Sequence, residues 1–270
     1  MSKNQKPIGI YDSGIGGLTV MRAVREILPK EDIIYFGDTA HLPYGDKSTE
    51  AIQSYSIKIA NFLLSQECKV ILIACNSASA AAFKLLKEYV GSKAFVLNVI
   101  DPMVSMVAEK YAGKTVGLIG TKQTVLSNVY AKKINDLGLG ITLKSLATPL
   151  LAPMIEEGYA GKSILESVII DYLSDEKIAG IEALILGCTH YPLIKNQIKN
   201  FYGEGVAVLD SSEVVAKSLR GLLEMQNLLN NKEEAGKSNF FVSDFTQSFE
   251  NATQLFFGEA VQLQHYPLWE

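Results

Sequence analysis

Two short stretches limit what this chain can fold into: Ile71-Leu72-Ile73-Ala74-Cys75-Asn76-Ser77 and Leu184-Ile185-Leu186-Gly187-Cys188-Thr189-His190. Each is an unbroken apolar run, shorter than a helix core and without the polar alternation of a half-exposed strand. Such runs read as strands buried on both faces, as in parallel sheets covered by helices. Each ends in a cysteine followed by small polar residues. In an open parallel sheet, ligands bind outside the carboxyl ends of the strands. The pattern therefore predicts two thiols at two binding edges, facing each other across one small substrate.

The same strand–turn–helix unit recurs along the chain. Residues 8–11 form an apolar run that leads into Asp12-Ser13-Gly14-Ile15-Gly16-Gly17 and a helix over 18–28, stopped by Pro29. A glycine-rich turn of this kind brings backbone N–H groups close to a ligand, and a helix N-terminus favours anions. A plain tight turn is the competing reading, and the dinucleotide fingerprint fails because Thr19 stands at its third glycine. Asp12 favours a working site, since a carboxylate at a buried strand end needs a partner. A strand over 32–36 leads to the loop His41-Leu42-Pro43-Tyr44-Gly45 at the same edge, and a helix spans 49–65. The strand over 70–74 delivers Cys75, with Asn76 and Ser77 expected to cap the Ala-rich helix that follows. Cys68 is incidental, a small residue at an element boundary. A strand over 95–99 precedes a helix that opens at Asp101-Pro102.

The pattern then restarts. Val116-Gly117-Leu118-Ile119-Gly120-Thr121 resembles Ile8-Gly9-Ile10-Tyr11-Asp12-Ser13, at nearly the spacing that separates the cysteines. Such an internal repeat predicts two similar halves. They are chemically unequal, because Gly120 stands where the first half has Asp12. Helices over 124–137 and 163–173, a strand over 183–186, a helix opening at Pro192 and a strand over 206–209 complete the second half, and a helix over 212–229 capped by Ser211 leads back to the first. The tail supplies strands over 240–242 and 261–263 and a helix over 245–256, which extend the first sheet. The expected architecture is α/β, with two doubly wound domains: residues 1–98 plus 210–270, and residues 99–209.

Charge and cysteine usage narrow the function classes. The net charge is −4 and no basic stripe is present, so a nucleic-acid partner is not expected. Three cysteines do not make a disulfide framework and fit a reducing compartment. The polar first residues lack the apolar core of a signal peptide, and no apolar run approaches the ~18 residues of a membrane span. A cytoplasmic protein without membrane contact is expected.

A cysteine at a helix N-terminus has its thiolate favoured. Cys188 and His190 could hold a metal, but structural zinc wants four nitrogen or sulfur ligands and no further Cys/His pair exists. A Cys–His nucleophile for acyl transfer would leave the other cysteine idle. A pyridoxal-phosphate enzyme would need a lysine at one of the strand-end turns singled out above, and none carries an obvious one. Two opposed acid–base groups account for both cysteines: one removes a proton from a stereocentre while the other returns one from the opposite face.

The stretches Asp12-Ser13-Gly14-Ile15-Gly16-Gly17, Pro43-Tyr44-Gly45, Ala74-Cys75-Asn76-Ser77-Ala78-Ser79 and Gly187-Cys188-Thr189-His190-Tyr191-Pro192-Leu193-Ile194 closely resemble the glutamate racemase family, within the aspartate/glutamate racemase superfamily. They occur in that family's order and cover nearly the whole chain; the two cysteine motifs together are highly specific. The resemblance implies two flavodoxin-like domains related by a pseudo-two-fold, with the active site in the cleft between them. It implies cofactor-independent two-base racemisation of L-glutamate to D-glutamate for peptidoglycan precursors, no metal, and a cytoplasmic homodimer. By the same resemblance Cys75 handles the α-proton of D-glutamate and Cys188 that of L-glutamate. Asp12 assists on the Cys75 side, and Glu156 and His190 on the other. Asp12, Ser13, Tyr44, Gly45, Asn76, Ser77, Thr189 and His190 hold the substrate's carboxylates and ammonium. Two positions depart from many relatives: Ser77 replaces a Thr, losing a methyl, and Thr148 replaces a Cys with little expected consequence. The competing readings are racemisation of another small acid, aspartate foremost, and an amino-acid sensor without turnover.

Overall fold

Unbroken apolar runs bury both faces of their strands, so helices must cover both sides and the strands must run parallel. The computed structural model, which describes residues 2–270 apart from the side chains of Ser248 and Asn251, has this construction. Its strands are β1 (Ile8–Asp12), β2 (Ile33–Gly37), β3 (Val70–Ile73), β4 (Phe95–Asn98), β5 (Thr115–Gly120), β6 (Thr142–Ala147), β7 (Ala183–Gly187), β8 (Ala207–Asp210), β9 (Ser238–Val242) and β10 (Gln264–His265). The helices are α1 (Leu18–Ile27), α2 (Thr49–Ser65), α3 (Asn76–Val90), α4 (Ile100–Lys110), α5 (Lys122–Leu126), α6 (Val129–Asp136), α7 (Leu151–Glu156), α8 (Ser163–Leu173), α9 (Lys195–Tyr202), α10 (Ser211–Met225) and α11 (Gln247–Phe257).

The strands form two parallel sheets, one in the order β10-β9-β2-β1-β3-β4 and the other in the order β6-β5-β7-β8. The run β2-β1-β3-β4 has the same winding as β6-β5-β7-β8, so the repeat seen in the sequence is a repeat of topology. In this winding the strand order reverses between the first and third strands, which opens a crevice at their carboxyl ends. Asp12 and Cys75 stand at that crevice in the first sheet, and Gly120 and Cys188 stand at it in the second. The tail strands join the first sheet through β2, as expected. Every residue of β1, β2, β3 and β7 is buried. Among the described residues no helix is long and apolar enough to cross a membrane.

Local details differ from the sequence-based expectations for identifiable reasons. Cys75, not Asn76 or Ser77, is the N-cap of α3, accepting from the Ala78 N–H at 3.5 Å. Asp210, not Ser211, caps α10, because its carboxylate accepts from the Ser212 N–H. The helix expected over 124–137 is two helices, broken where Asn128 takes a left-handed backbone (φ 55°) that asparagine tolerates. β6 is an additional edge strand, half exposed and lacking a continuous apolar run. The last strand lies at 264–265 rather than 261–263.

Candidate active site

The carboxyl ends of the two sheets enclose one small cavity with a free volume of about 30 Å³. From the first sheet's side it is lined by Ser13, the loop Pro43-Tyr44-Gly45, and Cys75, Asn76 and Ser77. From the second side it is lined by Thr121, Ala152 and Glu156, and by Gly187, Cys188, Thr189 and His190. Both cysteines therefore border the same space. Among the expected site residues, Asp12 alone is absent from the wall. It is fully buried behind it, holding the Gly14 N–H on one oxygen (3.1 Å) and accepting from the Thr189 hydroxyl on the other (3.4 Å).

The surroundings of the two sulfurs are unequal. The Cys75 thiol lies 3.8 Å from the Ser13 hydroxyl. The N-terminus of α3 favours its thiolate, but burial and the neighbouring Asp12 charge act the other way and dominate, so the thiol is pushed up to about 12. The expectation of a thiolate favoured by the helix end is therefore reversed at this position, because an N–H at 3.5 Å offsets little of the desolvation. Asp12 is itself raised above the usual carboxylate range, first by burial, although the His190 charge opposes the shift.

On the other side the Cys188 sulfur lies 3.5 Å from His190 Nδ1, and His190 Nε2 lies 2.7 Å from Glu156 Oε1. Burial alone would lower the His190 pKa, but negative charge on Cys188 and Glu156 overrides it and holds the pKa well above the usual imidazole range. A raised pKa keeps the ring protonated through neutral pH, and the charge is lost only as pH climbs through the raised value. With both ring nitrogens then donors, the imidazolium bridges sulfur and carboxylate. Such a group can take up or release charge at Cys188 without solvent.

Other polar groups are set by contacts across the two halves. The Ser77 hydroxyl is paired with Thr121 Oγ1 at 2.8 Å, and the Thr19 hydroxyl donates to the Thr189 carbonyl at 3.0 Å. Asn76 Oδ1 accepts from the Tyr130 hydroxyl at 2.9 Å, while its buried Nδ2 has no partner. A buried amide N–H₂ without an acceptor at a cavity wall suits a carboxylate ligand. The Tyr44 hydroxyl is already committed to Asp38 at 2.6 Å, so this residue offers the cavity its ring and main chain. Thr121 was not singled out from the sequence, although it occupies in the second half the place Ser13 has in the first. Thr148 is buried against the Tyr191 hydroxyl (2.7 Å), away from the cavity wall. No group of three or more His, Cys, Asp or Glu side chains among the described residues could hold a metal ion.

Ser13 of the glycine-rich turn lines the cavity, while the glycines after it meet a packing requirement. A Cβ on Gly16 would lie 2.4 Å from His190 Cε1, and one on Gly17 would lie 2.6 Å from Asp12 Cβ. The glycines give room for the second half's His190 and for Asp12 to pack against the turn.

Two thiols border one enclosed cavity from opposite sheet ends, each with its own charged neighbours. A family model described as Asp/Glu/Hydantoin racemase matches residues 13–219, and the chain belongs to that family. It is 40% identical to the glutamate racemase of Geobacter metallireducens, over 94% of this chain and 93% of the relative. Among solved structures it resembles glutamate racemase from Francisella tularensis in complex with D-glutamate, with 41% identity, a TM-score of 0.90, and coverage of 98% of this chain and 99% of that one. It also resembles the isoform RacE1 glutamate racemase of Bacillus anthracis, with 33% identity, a TM-score of 0.92, and 97% and 98% coverage.

Proposed function

We propose that this protein interconverts L- and D-glutamate by a two-base mechanism in which Cys75 and Cys188 exchange protons with opposite faces of the α-carbon. The observation that carries the reading is that both sulfurs border a single small cavity from opposite sheets. Inversion needs a base on one face and an acid on the other at the same moment. The raised pKa of Cys75 keeps it a proton donor at neutral pH, and the imidazolium of His190 lies against the Cys188 sulfur at 3.5 Å. From L- to D-glutamate, Cys188 takes the α-proton and Cys75 delivers one from the other face. The reverse direction exchanges the two roles. Asp12 assists at Cys75, and the His190–Glu156 pair assists at Cys188.

The substrate's carboxylates meet Asn76 Nδ2, the hydroxyls of Ser13, Ser77 and Thr189, and the main chain of Tyr44 and Gly45. A cavity of about 30 Å³ holds about two water molecules, since one needs about 10–15 Å³. Glutamate is larger, so the halves part to admit it and close again, excluding water from the carbanion-like transition state. We assign residues 1–98 with 210–270 to one moving body and 99–209 to the other. The family likeness carries the further reading of a cytoplasmic homodimer supplying D-glutamate for peptidoglycan.

Purified protein mixed with L-glutamate should lose optical activity to zero without added pyridoxal phosphate or metal, as followed by circular dichroism. Activity that vanishes on dialysis against chelator and returns only with metal would overturn the mechanism. Aspartate should be a poor substrate, with kcat/KM lower by about 100-fold. It is one methylene shorter, so its side-chain carboxylate cannot reach its donors while the α-carbon sits between the thiols, and a displaced reacting centre costs about 10²-fold. Comparable kcat/KM for both acids would favour the broader small-acid reading.

A further inference from the structure

Asp38 follows β2 on the first sheet's carboxyl edge and is fully buried, yet it borders no part of the cavity. Four side chains converge on its carboxylate. The Trp269 Nε1–H donates to Oδ1 at 2.8 Å and the Ser243 hydroxyl donates to the same oxygen at 2.7 Å. The Tyr44 hydroxyl donates to Oδ2 at 2.6 Å, and His41 Nδ1 lies 3.1 Å from both oxygens. Two of these groups come from the loop that lines the cavity, and two from the last part of the chain.

Trp269 is packed as well as bonded. Its ring meets His41 edge-on at 4.4 Å and Tyr55 at 5.4 Å, while His41 stacks on Tyr55 at 4.1 Å. The Lys58 ammonium sits over the indole at 4.8 Å. The tail that carries it is held by the short pairing of β10 with β9 and by the Tyr266 N–H to the Val242 carbonyl at 2.8 Å. A buried carboxylate with all its acceptor sites filled has one orientation, and the hydroxyl of Tyr44 follows that orientation.

We propose that Trp269 is a positioning residue for substrate binding: through the buried carboxylate of Asp38 it holds Tyr44, and with it the main chain of residues 43–45, against the cavity. The proposal rests on the reading that this loop contacts glutamate. Trp269 touches neither the cavity nor either sulfur, so its loss changes where the loop sits rather than the proton transfer itself.

The test compares Trp269→Phe, which keeps an aromatic ring but loses the N–H, with Gly45→Ala, which alters the loop directly because its new Cβ would lie 2.8 Å from Thr121. Trp269→Phe should raise KM for both enantiomers about fivefold with kcat within about twofold, a change the size of one ordinary hydrogen bond's net contribution. Tyr44→Phe breaks the same chain at its other end and should give the same split, which keeps the test open if the Trp269 variant folds poorly. Trp269 is the sole tryptophan of the chain, so intrinsic fluorescence reads this one site. Glutamate should change its emission in the wild type, and Tyr44→Phe should abolish that change. If Gly45→Ala raises KM while Trp269→Phe leaves it unchanged and only lowers Tm, Trp269 is merely structural and the proposal is overturned. If neither variant changes KM, the loop does not contact substrate, and the functional reading of Tyr44 and Gly45 fails first.

Discussion

Cys75→Ser and Cys188→Ser should each lose racemisation of glutamate by roughly 10³-fold or more, since a positioned acid–base group contributes about 10²–10⁴-fold and a serine hydroxyl is a far poorer proton carrier than a thiol. The loss must be equal in both directions for either variant. The enantiomers have the same free energy in water, so kcat/KM for the L- and D-forms stays equal whatever is mutated. Racemisation therefore cannot tell which thiol faces which enantiomer, but elimination can. A glutamate analogue with a leaving group on the β-carbon needs only the base: the α-proton goes to sulfur, the leaving group departs with its electron pair, and the resulting enamine hydrolyses to a keto acid and ammonia. Cys75→Ser should keep this reaction with the L-form, through Cys188, and Cys188→Ser should keep it with the D-form, through Cys75. The two activities should also differ in pH dependence. The Cys75 thiol is pushed up to about 12, so its thiolate fraction, and with it D-elimination by Cys188→Ser, should keep rising well above neutral pH. Keto-acid release from each enantiomer by each variant is the measurement, and the same preference in both variants would refute the opposed-face assignment.

What the sequence showed and what it hid follow from the range of the interactions involved. The buried strands, their parallel pairing and the two cysteine-bearing strand ends were legible because each is written in contiguous residues: an apolar run, then a thiol, then a helix start. The repeat was legible for the same reason, and the identical winding of the two sheets now accounts for it. Thr121 stands opposite Ser13 in that repeat, so its place at the cavity was legible there. Asp38 could not, because nothing local to Gly37-Asp38-Thr39 announces a carboxylate that gathers Tyr44, Ser243 and Trp269. The direction of the Cys75 shift was hidden too. A helix N-terminus is visible in sequence and lowers a thiol pKa, whereas desolvation and the Asp12 charge come from the assembled fold and act more strongly.

The glycine-rich turn is the sharpest case of a local pattern with a non-local cause, and it yields the second large effect. Gly16→Ala should lower kcat by about 10²-fold while leaving the fold intact, because the added methyl carbon would sit 2.4 Å from His190 Cε1, 2.6 Å from its Nδ1 and 2.7 Å from the Thr189 hydroxyl. Contacts under about 3 Å between such atoms do not persist, so something must move. The Gly16 backbone is closely held by its surroundings: its carbonyl accepts from the Thr19 N–H and hydroxyl, and Thr19 also bonds the Thr189 carbonyl. The imidazole is the end of a side chain rather than backbone, and it is the group that stands between Cys188 and Glu156. A shift of about 1 Å there breaks either the 2.7 Å bond to Glu156 or the contact with sulfur, and displacements of that size in a catalytic constellation cost about 10²-fold. If the turn instead served as a cradle for a substrate carboxylate, the methyl would raise KM and spare kcat. Steady-state kinetics with L-glutamate and a thermal melt separate the cases: a fall in kcat with little change in Tm supports the steric coupling to His190, and an unaltered kcat removes it.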